Sequence, residues 1–104
     1  MTKETRIAVD AMGGDGGPKI IMPSVKEFLL ANKDVKIDLY GDKKIISNFL
    51  DIFDSQLLKN IEIIHTDEKV LSEDSPSHAL RHKKKSSMSL AIQSVKDNKA
   101  QACV

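Results

Sequence analysis

Apolar residues recur along this chain in two rhythms, and their alternation predicts the order of its elements. Ile7, Ala8 and Val9 form an uninterrupted apolar run, as a parallel strand covered on both faces requires. Val35 to Leu39 alternates apolar and polar residues, so a second strand is predicted with one face less covered than in the first. Ile61 to His65 predicts a third strand, and Ala100 to Val104 opens a fourth. Between these runs the period lengthens. Ile45, Ile46, Phe49, Leu50 and Phe53 fall at i, i+1, i+4, i+5 and i+8, which predicts one helix facing the sheet with two large rings. Met88, Ala91, Ile92 and Val95 fall at i, i+3, i+4 and i+7, with Ser86 as N-cap and Asn98 as a left-handed stop. The helix after the first strand carries two prolines. Pro18 suits a first helical position, whereas Pro23 demands either a kink or a later start; Val25, Phe28 and Leu29 set the apolar stripe and Asn32 the end.

Strands alternating with helices imply right-handed crossovers and a parallel sheet. The expected class is α/β, a Rossmann-like three-layer half-sheet ordered βαβαβαβ and incomplete at its carboxyl end. With no linker, repeat or low-complexity stretch, residues 1–104 read as part of a single domain. In such sheets ligands bind beyond the carboxyl ends of the strands. The first strand runs there into Gly13, Gly14, Gly16 and Gly17, whose backbone can approach a ligand closely, with Asp10 and Asp15 beside it. Two common phosphate loops are excluded by spacing. Pro18 stands where a P-loop needs its second glycine, and Lys19 where a dinucleotide loop counted from Gly14 needs its last. A tight strand-to-helix turn without ligand remains the alternative.

Composition narrows the partners. The 104 residues carry 16 basic and 15 acidic side chains, for a formal charge of +1, and nothing in that balance calls for nucleic acid or an acidic membrane. One tyrosine and three phenylalanines are too few for binding single strands by base stacking. A chain of this size buries roughly two-thirds of its unfolded surface. Cys103 is alone in an apolar run, so a reducing compartment and a buried, inert thiol are expected. No apolar run has the length of a signal peptide or of a membrane span, which predicts a soluble, cytoplasmic protein.

Arg81, Lys83, Lys84 and Lys85 precede Ser86 and Ser87 at the predicted helix start. Cations beside unpaired helix N–H groups make a phosphate site; a solvated charged turn with capping serines fits the same residues. His78 and His82 have metal-ligand spacing, but Ala79 replaces the glutamate of the zincin pattern and the lysines repel a cation, so no metal site is expected. His65 reads as a structural or edge residue. Asp67, Glu68, Glu73 and Asp74 read as an exposed acidic face, and Asp74-Ser75-Pro76 as the start of a helical turn.

Three segments together carry a specific resemblance. VDAMGGD at 9–15, Tyr40-Gly41-Asp42 and SPSHALRHKKKSSM at 75–88 resemble, in order and spacing, the phosphate acyltransferases of bacterial phospholipid synthesis, the PlsX family. In the last segment Pro76, Ala79, Leu80, Arg81, Lys83, Lys84, Ser86, Ser87 and Met88 match the family pattern. The chain departs from it at Gly16-Gly17-Pro18, where the family reads His-Ala-Pro, at Lys85, where it has Asp or Asn, and at His82, where it has Arg. The resemblance covers essentially the whole chain and implies an amino-terminal fragment of a longer enzyme. It implies transfer of an acyl group from acyl carrier protein to inorganic phosphate, without a redox or nucleotide cofactor. It also implies a homodimer with peripheral membrane association in the full-length form. On that basis Asp10, Asp15 and Lys84 are the catalytic candidates, and Gly13, Gly14, Arg81, Ser86 and Ser87 the phosphate-binding ones. A non-catalytic phosphoester-binding module and an inert gene remnant are the rival readings.

Overall fold

The computed structural model describes residues 4–13, 16–67, 75 and 84–104. β1 (Thr5–Asp10) leads into α1 (Pro18–Ala31), then β2 (Val35–Gly41), α2 (Lys43–Ser47), a 3₁₀ turn (Leu50–Ile52), α3 (Ser55–Leu58), β3 (Ile61–His65), α4 (Ser87–Lys96) and β4 (Ala102–Cys103). The four strands form one parallel sheet in the order β3-β2-β1-β4, which is the expected class. Registers Ile7↔Ile37↔Ile61 and Val9↔Leu39↔Ile63 place these side chains on one face. There they pack with Met22, Val25 and Leu29 of α1 and with Ile46, Phe53 and Leu57. Ala8 and Tyr40 lie on the other face and pack against Ala91 and Ala100, with Leu90, Ile64 and Val95 alongside. Helices therefore cover both faces, and the three layers follow from the period-2 pattern of strands whose two sides are both needed.

The proline question in α1 resolves in favour of the early start. Gly17, at φ 54, turns the chain into the helix, Pro18 opens it, and the helix continues through Pro23 to Ala31. Asn32 ends it, its backbone N–H donating to Leu29 O. The single helix predicted over residues 45–53 is not formed. Phe49, at φ −107 and ψ 1, leaves helical geometry, and Asp54 caps a new helix by accepting Leu57 N–H at 2.9 Å. Ile46, Phe53 and Leu57 are buried all the same, because three short pieces meet the sheet as one helix would. Cys103 corrects another expectation: it is exposed, since β4 pairs with β1 on one side and no described element packs over its thiol.

On the second face Asp38 is only 5% exposed, more covered than the alternation of β2 predicts. Its carboxylate accepts from Arg6 Nη1, and Arg6 also pairs with Glu4 at 3.0 Å and Glu62 at 3.3 Å. Burial pushes the Asp38 carboxyl above its ordinary range, with Arg6 pulling the other way. Burial opposes the charge of Arg6, but Asp38, Glu4 and Glu62 outweigh it and hold the guanidinium above its usual value. No helix among the described residues is long and apolar enough to cross a membrane.

Candidate active site

β1 has β2 on one side, reached through α1 on the first face, and β4 on the other, reached through α4 on the second face. The order of strands reverses between β1 and β4, and the crevice beyond their carboxyl ends is where α/β sheets bind ligands. Asp10 ends β1 at that point, its backbone N–H donating to Val104 O at 2.9 Å. The half-buried carboxylate accepts the Ser87 hydroxyl through Oδ1 at 2.5 Å and the Met12 N–H at 3.1 Å. Strand end and helix start are thus tied together across 77 positions of sequence.

Glycine is required at the turn for a local reason. A Cβ at Gly13 would stand 2.6 Å from Asp10 Oδ2. Gly41 makes a similar approach from β2, where a Cβ would meet Met12 Cγ at 2.7 Å, so the Gly-Asp after β2 belongs to the same packed loop cluster. Asp42 then caps α2 by accepting from Lys44 N at 3.0 Å, and His65 Nδ1 accepts from Lys43 N at 3.0 Å, a structural role for that imidazole.

The two serines at the start of α4 are used differently. Ser86 is fully buried; its Oγ accepts Ser89 N–H and donates to Ser89 Oγ, both at 3.1 Å, so its hydroxyl is turned into the predicted cap. Ser87, the first helical residue, reaches Asp10 instead. At the far end Asn98 takes φ 60, with Lys99 N–H on Ser94 O at 2.9 Å and Asn98 N–H on Val95 O at 3.1 Å, the Schellman pattern expected of a left-handed stop. Lys84 and Lys85 are exposed, and their turn is fastened to the end of β3 by Thr66 Oγ1 donating to Lys85 O. The structure therefore brings Asp10, Gly13, Ser86 and Ser87 together. Asp15, Gly14, Arg81, Lys83, His78 and His82 lie outside the described residues, as do Glu68, Glu73 and Asp74.

A cleft of about 750 Å³ opens from this point along the β4 edge. Asp10 and Gly13 line it together with Ile20 and Phe28 of α1 and Met88 and Ile92 of α4. Sequence reasoning placed Phe28 in the apolar stripe and did not find this cleft, whose walls come from helices on opposite faces of the sheet.

Residues 5–104 match the family described as fatty acid synthesis protein. The chain belongs to that family. It is 51% identical over 98 residues to a phosphate acyltransferase of Shewanella baltica, an alignment covering 94% of this chain and 29% of that protein. It is 48% identical over 99 residues to a phosphate acyltransferase of Streptococcus pyogenes serotype M6, covering 95% of this chain and 28% of the relative. The chain thus spans under a third of the length of the curated relatives it matches, and the resemblance read from its three motifs holds along nearly all of it. In this member of the fatty acid synthesis protein family, the departure at Gly16-Gly17 puts a positive-φ glycine directly before Pro18, the proline that opens α1.

Proposed function

We propose that this chain supplies the phosphate-binding part of an acyl-[acyl-carrier-protein]:phosphate acyltransferase, which forms acyl phosphate for phospholipid synthesis. The hydrogen bond between Ser87 and Asp10 carries the reading, because it joins the glycine-turn motif to the basic Ser-Ser motif at the switch point. In the reaction a phosphate oxygen attacks the thioester carbonyl, a C–O bond forms, and the C–S bond breaks to release the carrier thiol. The protein must hold the anion, keep water out and stabilise the oxyanion that develops. Arg81 and Lys84 supply positive charge for the phosphate. Gly13 and Gly14 line the site with backbone, Ser86 and Ser87 bring the amino end of α4 to it, and Asp10 and Asp15 orient the groups around it. The full-length protein acts as a cytoplasmic homodimer, peripherally associated with the membrane, with acyl carrier protein as its partner.

The test is a chimera in which this chain replaces the matching segment of the Shewanella baltica phosphate acyltransferase. Hydroxylamine trapping should detect acyl phosphate made from acyl carrier protein thioester and phosphate, while the chain alone should give none. Arg81→Ala or Lys84→Ala in the chimera should raise the phosphate KM by roughly ten- to a hundredfold, the weight of one charge-assisted hydrogen bond. Lys85→Ala, at a position where the family carries Asp or Asn, should leave it unchanged. A folded chimera without turnover would overturn the reading in favour of a non-catalytic phosphoester-binding module or an inert remnant.

A further inference from the structure

The structure assigns Asp10 a second task, which rests on the phosphate reading above: its carboxylate selects an oxyanion that carries a proton, so the site takes phosphate and rejects sulfate. Both ions are tetrahedral, similar in size and attracted by the same cations. Lysine and arginine charge therefore cannot separate them. A hydrogen-bond acceptor can, because phosphate near neutral pH keeps at least one P–OH and sulfate keeps none.

Asp10 is the acceptor that lines the cleft. Asp10 Oδ1 is occupied by the Ser87 hydroxyl at 2.5 Å and by Met12 N–H at 3.1 Å. Ser87 has one hydroxyl hydrogen and spends it there. Asp10 Oδ2 meets no donor among the described residues, and it lies beside Gly13 at a distance that leaves no space for a Cβ. Asp10 and Gly13 both line the cleft, and glycine at residue 13 puts no side chain over the second oxygen. A carboxylate accepts and never donates. Phosphate can donate its P–OH to Oδ2 while its remaining oxygens face cations and N–H groups. Sulfate can only set lone pairs against lone pairs, and a buried polar mismatch of that kind is what gives sites built around a hydroxyl their strong discrimination.

The experiment titrates the chain with sodium phosphate and with sodium sulfate at matched ionic strength, following the backbone amide resonances of Gly13, Ser87 and Met88. Phosphate should shift them saturably, and sulfate should bind at least about tenfold more weakly, the loss expected when one hydrogen bond to a charged group is replaced by a mismatch. Asp10→Asn places an amide N–H₂ within reach of the ligand and should erase the preference, with far-ultraviolet circular dichroism reporting that the variant is folded. Equal binding of the two ions by the unmodified chain, or a preference that survives Asp10→Asn, overturns the selectivity while leaving a phosphate site standing. If neither ion moves these amides, the selectivity and the phosphate reading fall together.

Discussion

Ser87→Ala tests the link on which the site depends. The Ser87 side chain is buried, and the substitution removes its 2.5 Å hydrogen bond, leaving Asp10 Oδ1 with the Met12 N–H. A hydrogen bond to a charged group contributes about 1.5 to 3 kcal/mol. Asp10 is half-buried and borders the cleft, so water can replace part of what is lost and the effect belongs at the lower end of that range. Alanine is a better helix former than serine and returns a few tenths of a kcal/mol at the first position of α4. The expected net loss is about 1 kcal/mol, which for a domain of this size lowers Tm by about 4 to 8 °C. Urea unfolding followed by circular dichroism, repeated in an Asp10→Ala background, isolates the pair. Ser87→Ala should cost about 1 kcal/mol with Asp10 present and close to nothing without it. Equal costs in both backgrounds would show that Ser87 stabilises α4 by some route other than Asp10, and the argument from the link would fail.

Three further outcomes are expected. Gly17→Ala forces a Cβ into φ 54 and ψ −142, a conformation essentially confined to glycine, and should destabilise the chain by about 1 to 3 kcal/mol in the same urea assay. Met22→Ala empties a fully buried position between α1 and the sheet and should cost about 2 to 5 kcal/mol; a loss under about 1 kcal/mol would mean that this core is not packed as described. Asp38→Asn should change the pH dependence of stability: burial raises the folded-state pKa of Asp38, so the native state holds that proton longer and this group's contribution declines as pH rises through the carboxylate range. Relative to Asp38→Asn, the unmodified chain should therefore lose stability with rising pH, and a difference of the opposite slope would mean that the Arg6 pair outweighs burial.

What was legible in the sequence was what the chain decides within a few residues. The apolar runs at 7–9 and 61–64 sit in strands, and Ser86 and Asn98 bound α4, because a cap or a left-handed stop depends on its immediate neighbours. The segment after β2 was misread although its signal was also local. Asp54 precedes Ser-Gln-Leu-Leu as an N-cap should, but the spacing of Ile45, Ile46, Phe49, Leu50 and Phe53 fits one helix equally well, and apolar periodicity cannot distinguish a helix from short pieces that bury the same residues. Cys103 and Asp38 were misjudged for the opposite reason. An apolar run says that a thiol can be buried and an alternating strand says that a carboxylate can be exposed; what lies over each is settled by elements far away in sequence, Arg6 in the case of Asp38.

The same division runs through the site. Asp10 and Gly13 are candidates from a strand entering a glycine-rich turn, and Ser86 and Ser87 from their place before an apolar helical stripe. The sequence marks Ser86 as the N-cap but does not show what the Ser87 hydroxyl, one residue later, reaches. Helix geometry separates them: the N-cap position directs the Ser86 hydroxyl back onto Ser89 N–H, while one residue later Ser87 points at the end of β1. That difference exists only because α4 lies on the face opposite α1 and brings its start to the point where the strand order reverses. The chemistry of the residues and the capping role of Ser86 could be read along the chain, but the pairing of the Ser87 hydroxyl with the Asp10 carboxylate comes from the winding of the sheet.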